Sequence, residues 1–367
     1  MSSDSELLAE AKRIIDLLAR RPRFAGSAEE ADARAECARL LTKAGFEVQE
    51  REFDFSEWPG RFGVPLMSAV LLIATLLMCF GAMRWGVQFG ASPGWWLGFL
   101  AIVFLERKHP RATREMSWHR SKGINLEATR GDPKVWLVAH LDSKSQTVPI
   151  LVRSASSTAI TVICLATAIA TMVVRWFKWE NSFPWLWVAV VATIAALPSL
   201  LCFIRNESAG ALDNATGVAA VLLAAQILPR DKPVGVLITT AEELDLAGAR
   251  DWAVGRERGI SLINCDTVDD TGGWRCMYQS RPHAAILASR RAAARLSIDL
   301  RVGKIIRGIL TDSIAFDLAG LSSVTISRGT LGTLARLHTA RDTSDRVTGT
   351  GAATAARLLA ETVEEMH

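Results

Sequence analysis

Five short segments of the 367-residue chain carry side chains that can bind metal ions. They supply histidine, aspartate and glutamate, which are ordinary zinc ligands, just after predicted strands. The segments are residues 139–143, 210–217, 240–243, 264–266 and 337–339. Taken singly, such a residue at a strand end is more often a cap or a satisfied polar group. As a set, the five segments indicate a metal centre that activates water.

The elements that must position these side chains alternate between helix and strand. Helical periodicity covers residues 5–20, 28–44, 217–228 and 247–256. Strand patterns cover residues 46–53, 124–129, 135–140, 234–239, 260–265 and 324–327. This alternation predicts an α/β fold with a mixed, largely parallel sheet sandwiched by helices. Ligands in such folds collect at the carboxyl ends of strands, where the five segments lie.

Four hydrophobic runs interrupt this pattern. Half of the residues are hydrophobic and the mean hydropathy is +0.20, which is high for a soluble enzyme. The uncharged runs are residues 62–83, 85–105, 154–174 and 181–204. Each is long enough to cross a bilayer, which takes about 20 helical residues. The alternative is a buried core helix, and it is strongest for the second run because Gly90, Pro93 and Gly94 interrupt it.

Short links join the runs into two pairs, and each pair predicts a helical hairpin that returns the chain to the side it left. We therefore expect transmembrane hairpins at 62–105 and 154–204, four helices in all. They are inserted into one discontinuous domain, which comprises residues 1–61, 106–153 and 205–367. No hydrophobic run lies at the N-terminus, so the sequence predicts no signal peptide.

The basic residues near the runs predict the orientation of this domain. Nine lie on the domain side and three on the hairpin side. The nine are Arg51, Arg61, Arg107, Lys108, Arg111, Arg114, Lys144, Arg153 and Arg205, and the three are Arg84, Arg175 and Lys178. Because Lys and Arg near spanning segments stay in the cytoplasm, we expect a multi-pass membrane protein with this domain on the cytoplasmic side. The basic stretch 106–114 is expected to meet anionic lipid of the bilayer, and the alternative is a solvated loop.

Charge and cysteine content exclude other classes. A formal net charge of +4 is too small to indicate binding to nucleic acid. The six cysteines form no C-x-x-C pair, which argues against a disulfide scaffold or a zinc finger. The sequence leaves the oligomeric state open.

The five segments resemble those of the co-catalytic di-zinc aminopeptidases, a family that includes glutamate carboxypeptidases and glutaminyl cyclases. Residues 23–27, Arg-Phe-Ala-Gly-Ser, are similar to a motif that the family carries between its first two helices. The resemblance covers the discontinuous domain and none of the hairpins. The long interval from His140 to Asp213 departs from the usual spacing, and the second hairpin accounts for it.

The resemblance implies a ligand set for two zinc ions. One ion would be bound by His140, Asp213 and Asp266, and the other by Asp213, Glu243 and His338, with Asp213 as the bridge. Two zinc ions and three carboxylates leave a net positive charge, which favours a bridging hydroxide as the nucleophile.

The resemblance also implies roles for two further acids. Glu242 would be the general base, which takes a proton from water and delivers it to the leaving amine. Asp142 lies two residues past His140, on the same side of an extended strand, and is expected to accept the other ring N–H of that histidine. The alternative for the adjacent Glu242 and Glu243 is a solvated helix start.

Two positions depart from the family's pattern. Ser313 stands where the family often has a histidine, and this change is expected to alter the substrate pocket. Leu337 stands where a tyrosine commonly precedes the last ligand. Neither departure removes a metal ligand.

The sequence thus predicts a membrane-bound, zinc-dependent aminopeptidase that removes N-terminal residues from peptides. One alternative is a single-metal, glutaminyl cyclase-like acyltransferase, which the segment 142–144, Asp-Ser-Lys, also fits. Another is a catalytically silent membrane scaffold of the same fold. Retention of all five ligands favours hydrolysis over both. The peptide, and the choice of zinc over cobalt or manganese, stay open.

Overall fold

The computed structural model describes residues 4–87, 92–179, 183–280, 284–306 and 308–366, with the side chains of 102–112 left out. Most of the basic stretch 106–114 therefore lies outside the described side chains. The chain divides into two compact units. The first comprises Met1–Glu57, Arg114–Ser145 and Arg205–His367, and the second Trp58–Thr113 and Gln146–Ile204.

Within the described residues, the first unit contains an eight-stranded sheet in the order β1-β2-β6-β3-β7-β10-β8-β9. Its strands are β1 (Glu47–Ser56), β2 (Arg120–Arg130), β3 (Val135–His140), β6 (Val234–Thr239), β7 (Ser261–Val268), β8 (Gly273–Tyr278), β9 (Leu300–Lys304) and β10 (Ser322–Gly329). The four central strands β6, β3, β7 and β10 are parallel. Strands β1 and β2 are antiparallel, as are β2 and β6, and β8 runs antiparallel to β10. The predicted mixed, largely parallel sheet is confirmed. Two short strands, β4 (Ser145–Gln146) and β5 (Ile204–Arg205), lie outside it.

Helices of the first unit sandwich the sheet. They are α1 (Asp4–Leu18), α2 (Ala28–Lys43), α7 (Thr216–Ile227), α8 (Ala247–Trp252), α9 (Ala284–Arg295), α10 (Asp312–Leu318), α11 (Leu331–Arg336) and α12 (Thr350–Glu364). Successive side chains of a strand point to opposite faces, so β3 contributes to two cores. Leu137 packs in the core that contains α7 and α12, whereas Trp136 and Val138 pack with Trp252 and Phe316. Burial on both faces is why β3 reads as a continuous apolar run.

The second unit is helical and consists of α3 (Trp58–Trp85), α4 (Ser92–Glu115), α5 (Ile150–Phe177) and α6 (Trp185–Leu200). By length and composition, two of the described helices, α3 and α5, are long and apolar enough to cross a membrane. Helix α6 is apolar but shorter, with 16 residues. Two of the four predicted spans, residues 62–83 and 154–174, thus lie in helices that meet this test.

Three buried serines connect the helices of the second unit. The Ser156 hydroxyl of α5 donates to the carbonyl of Ala195 (2.6 Å) and accepts the N–H of Ser199 (3.1 Å). The Ser156 hydroxyl thus lies between a backbone carbonyl and a backbone N–H of α6. It does so beside Pro198, which has no N–H to donate. Ser68 of α3 donates to the Ser199 hydroxyl at 2.7 Å. Such hydrogen bonds hold apolar helices together.

Candidate metal centre

Three neighbouring parallel strands deliver metal-type ligands at their carboxyl ends. His140 is the last residue of β3, and Asp266 lies near the end of β7. Glu242 and Glu243 open a single 3-10 turn, Glu242–Leu244, directly after β6. This is the edge at which open α/β sheets bind ligands.

Two loops bring the remaining ligands to the same edge. Asp213 lies in the turn Ala211–Ala215, directly before α7, and its peptide bond to Asn214 is cis. His338 follows α11 in a left-handed conformation, with φ 58°. All five predicted ligands and Glu242 therefore meet in the first unit, and each is at most 8% exposed.

The side chains form two adjoining groups in which three ligand atoms lie within 4.8 Å of one another. One group is His140, Glu242 and Asp266, and the other is Asp213, Glu243 and His338. Asp213 also reaches the first group. Its Oδ1 is 3.1 Å from His140 Nε2 and its Oδ2 is 3.0 Å from His338 Nε2. One carboxylate thus presents an oxygen to each group, as a bridging ligand must.

The outer ligands lie slightly farther from the imidazoles. Asp266 Oδ1 is 3.7 Å from His140 Nε2, and Glu243 Oε1 is 3.2 Å from His338 Nε2. Nε2 of His140 and Oε1 of Glu243 are buried and, among the described residues, accept or donate no hydrogen bond. Such orphaned atoms are costly without a partner. Since imidazole nitrogen and carboxylate oxygen suit divalent zinc, the residues present fit a pair of metal ions.

Lys144 provides a positive charge at the second group. Its Nζ lies 2.8 Å from Glu243 Oε2 and donates to the Glu243 carbonyl at 2.9 Å. Glu243 therefore faces the ammonium group with one carboxylate oxygen and His338 with the other. One ammonium cannot balance Asp213, Glu242, Glu243 and Asp266, so the site favours further positive charge, which protonated histidines or bound metal ions can supply.

The pKa values reflect this concentration of charge. Burial raises the pKa of Glu242 well above its usual value, and the neighbouring Glu243 and Asp266 raise it further. Burial opposes the protonated form of His140, but Glu242 and the carboxylates around it raise the pKa of this imidazole well above 6.5. Bound divalent cations would lower both values, because positive charge favours deprotonation.

Asp142 holds the turn that carries the two glutamates. Its Oδ1 and Oδ2 accept the backbone N–H groups of Glu242 and Glu243, each at 3.1 Å. The ring Nδ1 of His140 instead donates to the backbone carbonyl of Asp142 at 3.1 Å, while the carboxylate is 3.7 Å away. The ring thus bonds to the backbone carbonyl in place of the expected carboxylate, and the carboxylate accepts two backbone amides. Asp142 still orients both histidine and glutamates.

Ser313, the first departure from the family's pattern, is buried, and the expectation that loss of the histidine alters the substrate pocket stays a prediction. It is 1% exposed, and its hydroxyl lies 2.6 Å from that of Thr325 and 2.8 Å from that of Thr311. This hydroxyl cluster lies between α10 and β10. Leu337, the other departure, is buried in the core.

Two buried ionic residues near the site have contacts that were not predicted from the sequence. Asp342 accepts the backbone N–H of Asp213, and Arg23 donates to the carbonyl of Gly210. Arg23 is the first residue of the motif 23–27, and Asp342 follows His338 by four positions. The position of Arg23 in the motif and that of Asp342 near a predicted ligand were the sequence signals that could have identified these two residues.

The stability of the metal-free protein should decrease as the pH rises from 5 to 8. Burial raises the pKa of Glu30, Asp312 and Asp342 to about 7, from ordinary values of 4.5 and 3.8. Between these values the folded state binds protons that the unfolded state has lost, so stability falls as the pH rises to about 7. The raised pKa values of His140 and His338 extend the fall above pH 6.5.

Thermal unfolding of chelator-treated protein in detergent, at pH 5, 6.5 and 8, measures this effect. With zinc present the trend should reverse, because metal ions bind deprotonated ligands. A Tm of metal-free protein that increases over this interval would contradict the electrostatic description of the site.

An α/β sheet whose strand ends hold two adjoining groups of buried histidine and carboxylate ligands is typical of a metal-dependent hydrolase. Residues 124–363 match the model of a family described as peptidase family M28. The chain belongs to this family, and the resemblance to zinc exopeptidases is confirmed.

Solved structures share the fold over nearly the whole chain. An aminopeptidase from Aneurinibacillus sp. strain AM-1 has a TM-score of 0.58 at 15% identity, covering 98% of this chain and 95% of that one. A zinc aminopeptidase from Bacillus subtilis has a TM-score of 0.57 at 14% identity, with the same coverages. A glutaminyl cyclase from Fimbriiglobus ruber has a TM-score of 0.53 at 14% identity, covering 99% and 95%. No curated protein matches the chain.

Proposed function

We propose that the protein is a membrane-bound zinc aminopeptidase that removes N-terminal residues from peptides. The observation that carries this proposal is the position of Asp213, with oxygens 3.1 and 3.0 Å from the Nε2 atoms of His140 and His338. Membership of peptidase family M28 supports peptide hydrolysis, and the similarity to the Bacillus subtilis zinc aminopeptidase supports the metal.

The ligands divide between two zinc ions. His140, Asp213 and Asp266 would hold one, and Asp213, Glu243 and His338 would hold the other. When bound, two such ions polarise a peptide carbonyl and make water acidic enough to ionise near neutral pH.

Glu242 is the proton carrier in this proposal. It is 7% exposed and shares a group with His140 and Asp266. Asp213 already offers an oxygen to His140, so Glu242 is free to take a proton from the attacking water on its carboxylate. It then delivers that proton to the nitrogen of the leaving amine. Asp142, which holds the backbone N–H of Glu242, is a positioning residue.

A cyclase-like reaction is the second candidate. The contact of Lys144 with Glu243 favours it, because one fixed positive charge reduces the need for a second metal ion.

A peptide with N-terminal glutamine distinguishes the aminopeptidase from the cyclase-like reaction. We expect the purified protein to release free glutamine and a shortened peptide. Release of ammonia with an intact, pyroglutamyl peptide would instead assign the cyclase-like function.

We further propose that the runs form two transmembrane hairpins, at 62–105 and 154–204, within a discontinuous peptidase domain. Helices α3 and α5 support this, since large apolar side chains on them are exposed. Ile73 is 49% exposed, Val162 57% and Ile169 61%. Apolar surface on this scale is unfavourable in water and marks contact with a partner or a membrane.

The excess of basic residues on the domain side places the peptidase domain in the cytosol in this proposal. Single cysteines at Trp85, which is 67% exposed, or Asn181, and another at Ser3, test it in a background without exposed thiols. Asn181 and Ser3 lie outside the described residues. A membrane-impermeant thiol reagent on intact cells should label the first two and spare the third. Labelling at Ser3 alone would reverse the orientation.

A further inference from the structure

The backbone that leads into Asp213 is held from one side by a buried carboxylate. We call residues 209–213 the bridging turn. Asp342 is 1% exposed and accepts the N–H of Leu212 at Oδ1 (2.7 Å) and that of Asp213 at Oδ2 (3.1 Å). Its own carbonyl accepts the N–H of Ala211 at 3.4 Å. Three consecutive amides of the bridging turn therefore point at one residue.

A buried guanidinium holds the same turn from the other side. Arg23 is 1% exposed and donates from Nη1 to the carbonyl of Ala209 (2.6 Å) and from Nη2 to that of Gly210 (3.0 Å). Its Nε donates to the carbonyl of Leu141, the residue after His140, at 3.0 Å. The guanidinium thus connects the bridging turn to the end of β3.

The turn between these two charges has little room to move. Gly210 has φ +62°, and a Cβ there would lie 2.5 Å from the carbonyl oxygen of Asp213 and 2.5 Å from the Ser143 Cβ. Asp342 is itself fixed to the loop of the last ligand, because its N–H donates to the carbonyl of Thr339 at 3.1 Å. The ligand segments of His140, Asp213 and His338 are therefore connected through Arg23 and Asp342.

We propose that Asp342 is a positioning residue for the bridging carboxylate of Asp213, and that Arg23 is its counterpart. Asp342 accepts hydrogen bonds from the amides of the bridging turn, and Arg23 donates hydrogen bonds to its carbonyls. Together they direct one oxygen of Asp213 toward each ligand group. The inference rests on the proposed function, since it concerns the same two-metal site. It predicts that changing Asp342 alters metal binding although Asp342 touches no metal ion.

Asp270 provides a matched control. It also accepts two backbone N–H groups, from Thr348 and from Gly351 (2.9 Å), at the start of α12. It belongs to neither ligand group. Asparagine at either position retains the size of the side chain, but it removes the charge and one acceptor oxygen. A purely structural role would therefore affect both variants in the same way.

The experiment titrates Co²⁺ into metal-free wild type, Asp342→Asn and Asp270→Asn in detergent. Calorimetry gives the Kd, and the visible absorption at saturation reports the coordination geometry. We expect Asp342→Asn to raise the Kd about 10- to 100-fold, the usual effect of residues that orient ligands, and to change the spectrum. Asp270→Asn should lower Tm without changing either readout. Arg23→Lys keeps the positive charge but loses the several N–H donors of the guanidinium, and it should change the spectrum less than Asp342→Asn does. This variant replaces Asp342→Asn in the experiment if Asp342→Asn does not fold.

Two results would overturn the inference. If wild type binds Co²⁺ and Asp342→Asn binds it with the same Kd and spectrum, the positioning role is wrong while the proposed function stands. If wild type binds no Co²⁺, the two-metal site and the positioning role are both wrong.

Discussion

Replacing Glu242 by glutamine is expected to lower kcat for an aminoacyl amide by at least about 10²-fold, the effect typical of losing a general base. The amide has the same shape as the carboxylate but cannot accept a proton. Bound metal should be unchanged, because Asp213 supplies the oxygen nearest His140, at 3.1 Å. Steady-state kinetics with metal analysis of the same sample measures both quantities.

The exposed Glu257 provides the control for this variant, since Glu257→Gln alters a carboxylate that belongs to neither ligand group. It should leave kcat and metal content at wild-type values. Loss of metal in Glu242→Gln would make Glu242 a ligand, as its place in a group with His140 and Asp266 allows. Full activity of Glu242→Gln would remove the proposed proton transfer altogether.

Replacing Asp213 by alanine is expected to cause the greatest loss of bound metal. Asp213 is within 3.1 Å of an imidazole nitrogen in each ligand group, so its loss affects both ions. Asp266→Ala and His338→Ala each remove a ligand from one group. They should lower the metal content from about two ions per chain toward one.

Asp299→Ala is the matched control, because Asp299 is exposed and belongs to neither group. Metal analysis of variants purified side by side should rank wild type and Asp299→Ala above Asp266→Ala and His338→Ala, with Asp213→Ala lowest. Equal losses for Asp213→Ala and Asp266→Ala would argue against a bridging role.

The central strands could be predicted because they are buried on both faces. Strands β3 and β6 have every residue buried, so they appear in the sequence as uninterrupted apolar runs that end where the ligands begin. The edge strand β9 escaped prediction, since none of its residues is fully buried and Arg301, Gly303 and Lys304 obscure its pattern. The predicted helix 247–256 ends early, at Trp252, because the chain turns at Gly255 with φ +72°.

The ligands could also be predicted, because their residue types and order resemble a known family. The contacts that orient them could not. The two oxygens of Asp142 face backbone amides that lie 100 and 101 positions away in the sequence. Asp342 is 129 positions from the amide of Asp213 that it holds. Backbone amides carry no signature of residue type, so only the folded chain reveals these partners.

The most direct test of the account is the zinc content of the detergent-purified protein, determined together with its hydrolysis of an aminoacyl amide. We predict about two zinc ions per chain, in line with the two ligand groups, and loss of both metal and hydrolysis on treatment with a chelator. Added zinc should restore hydrolysis to the wild type and not to Asp213→Ala. Undiminished hydrolysis by protein that holds no metal would contradict the account.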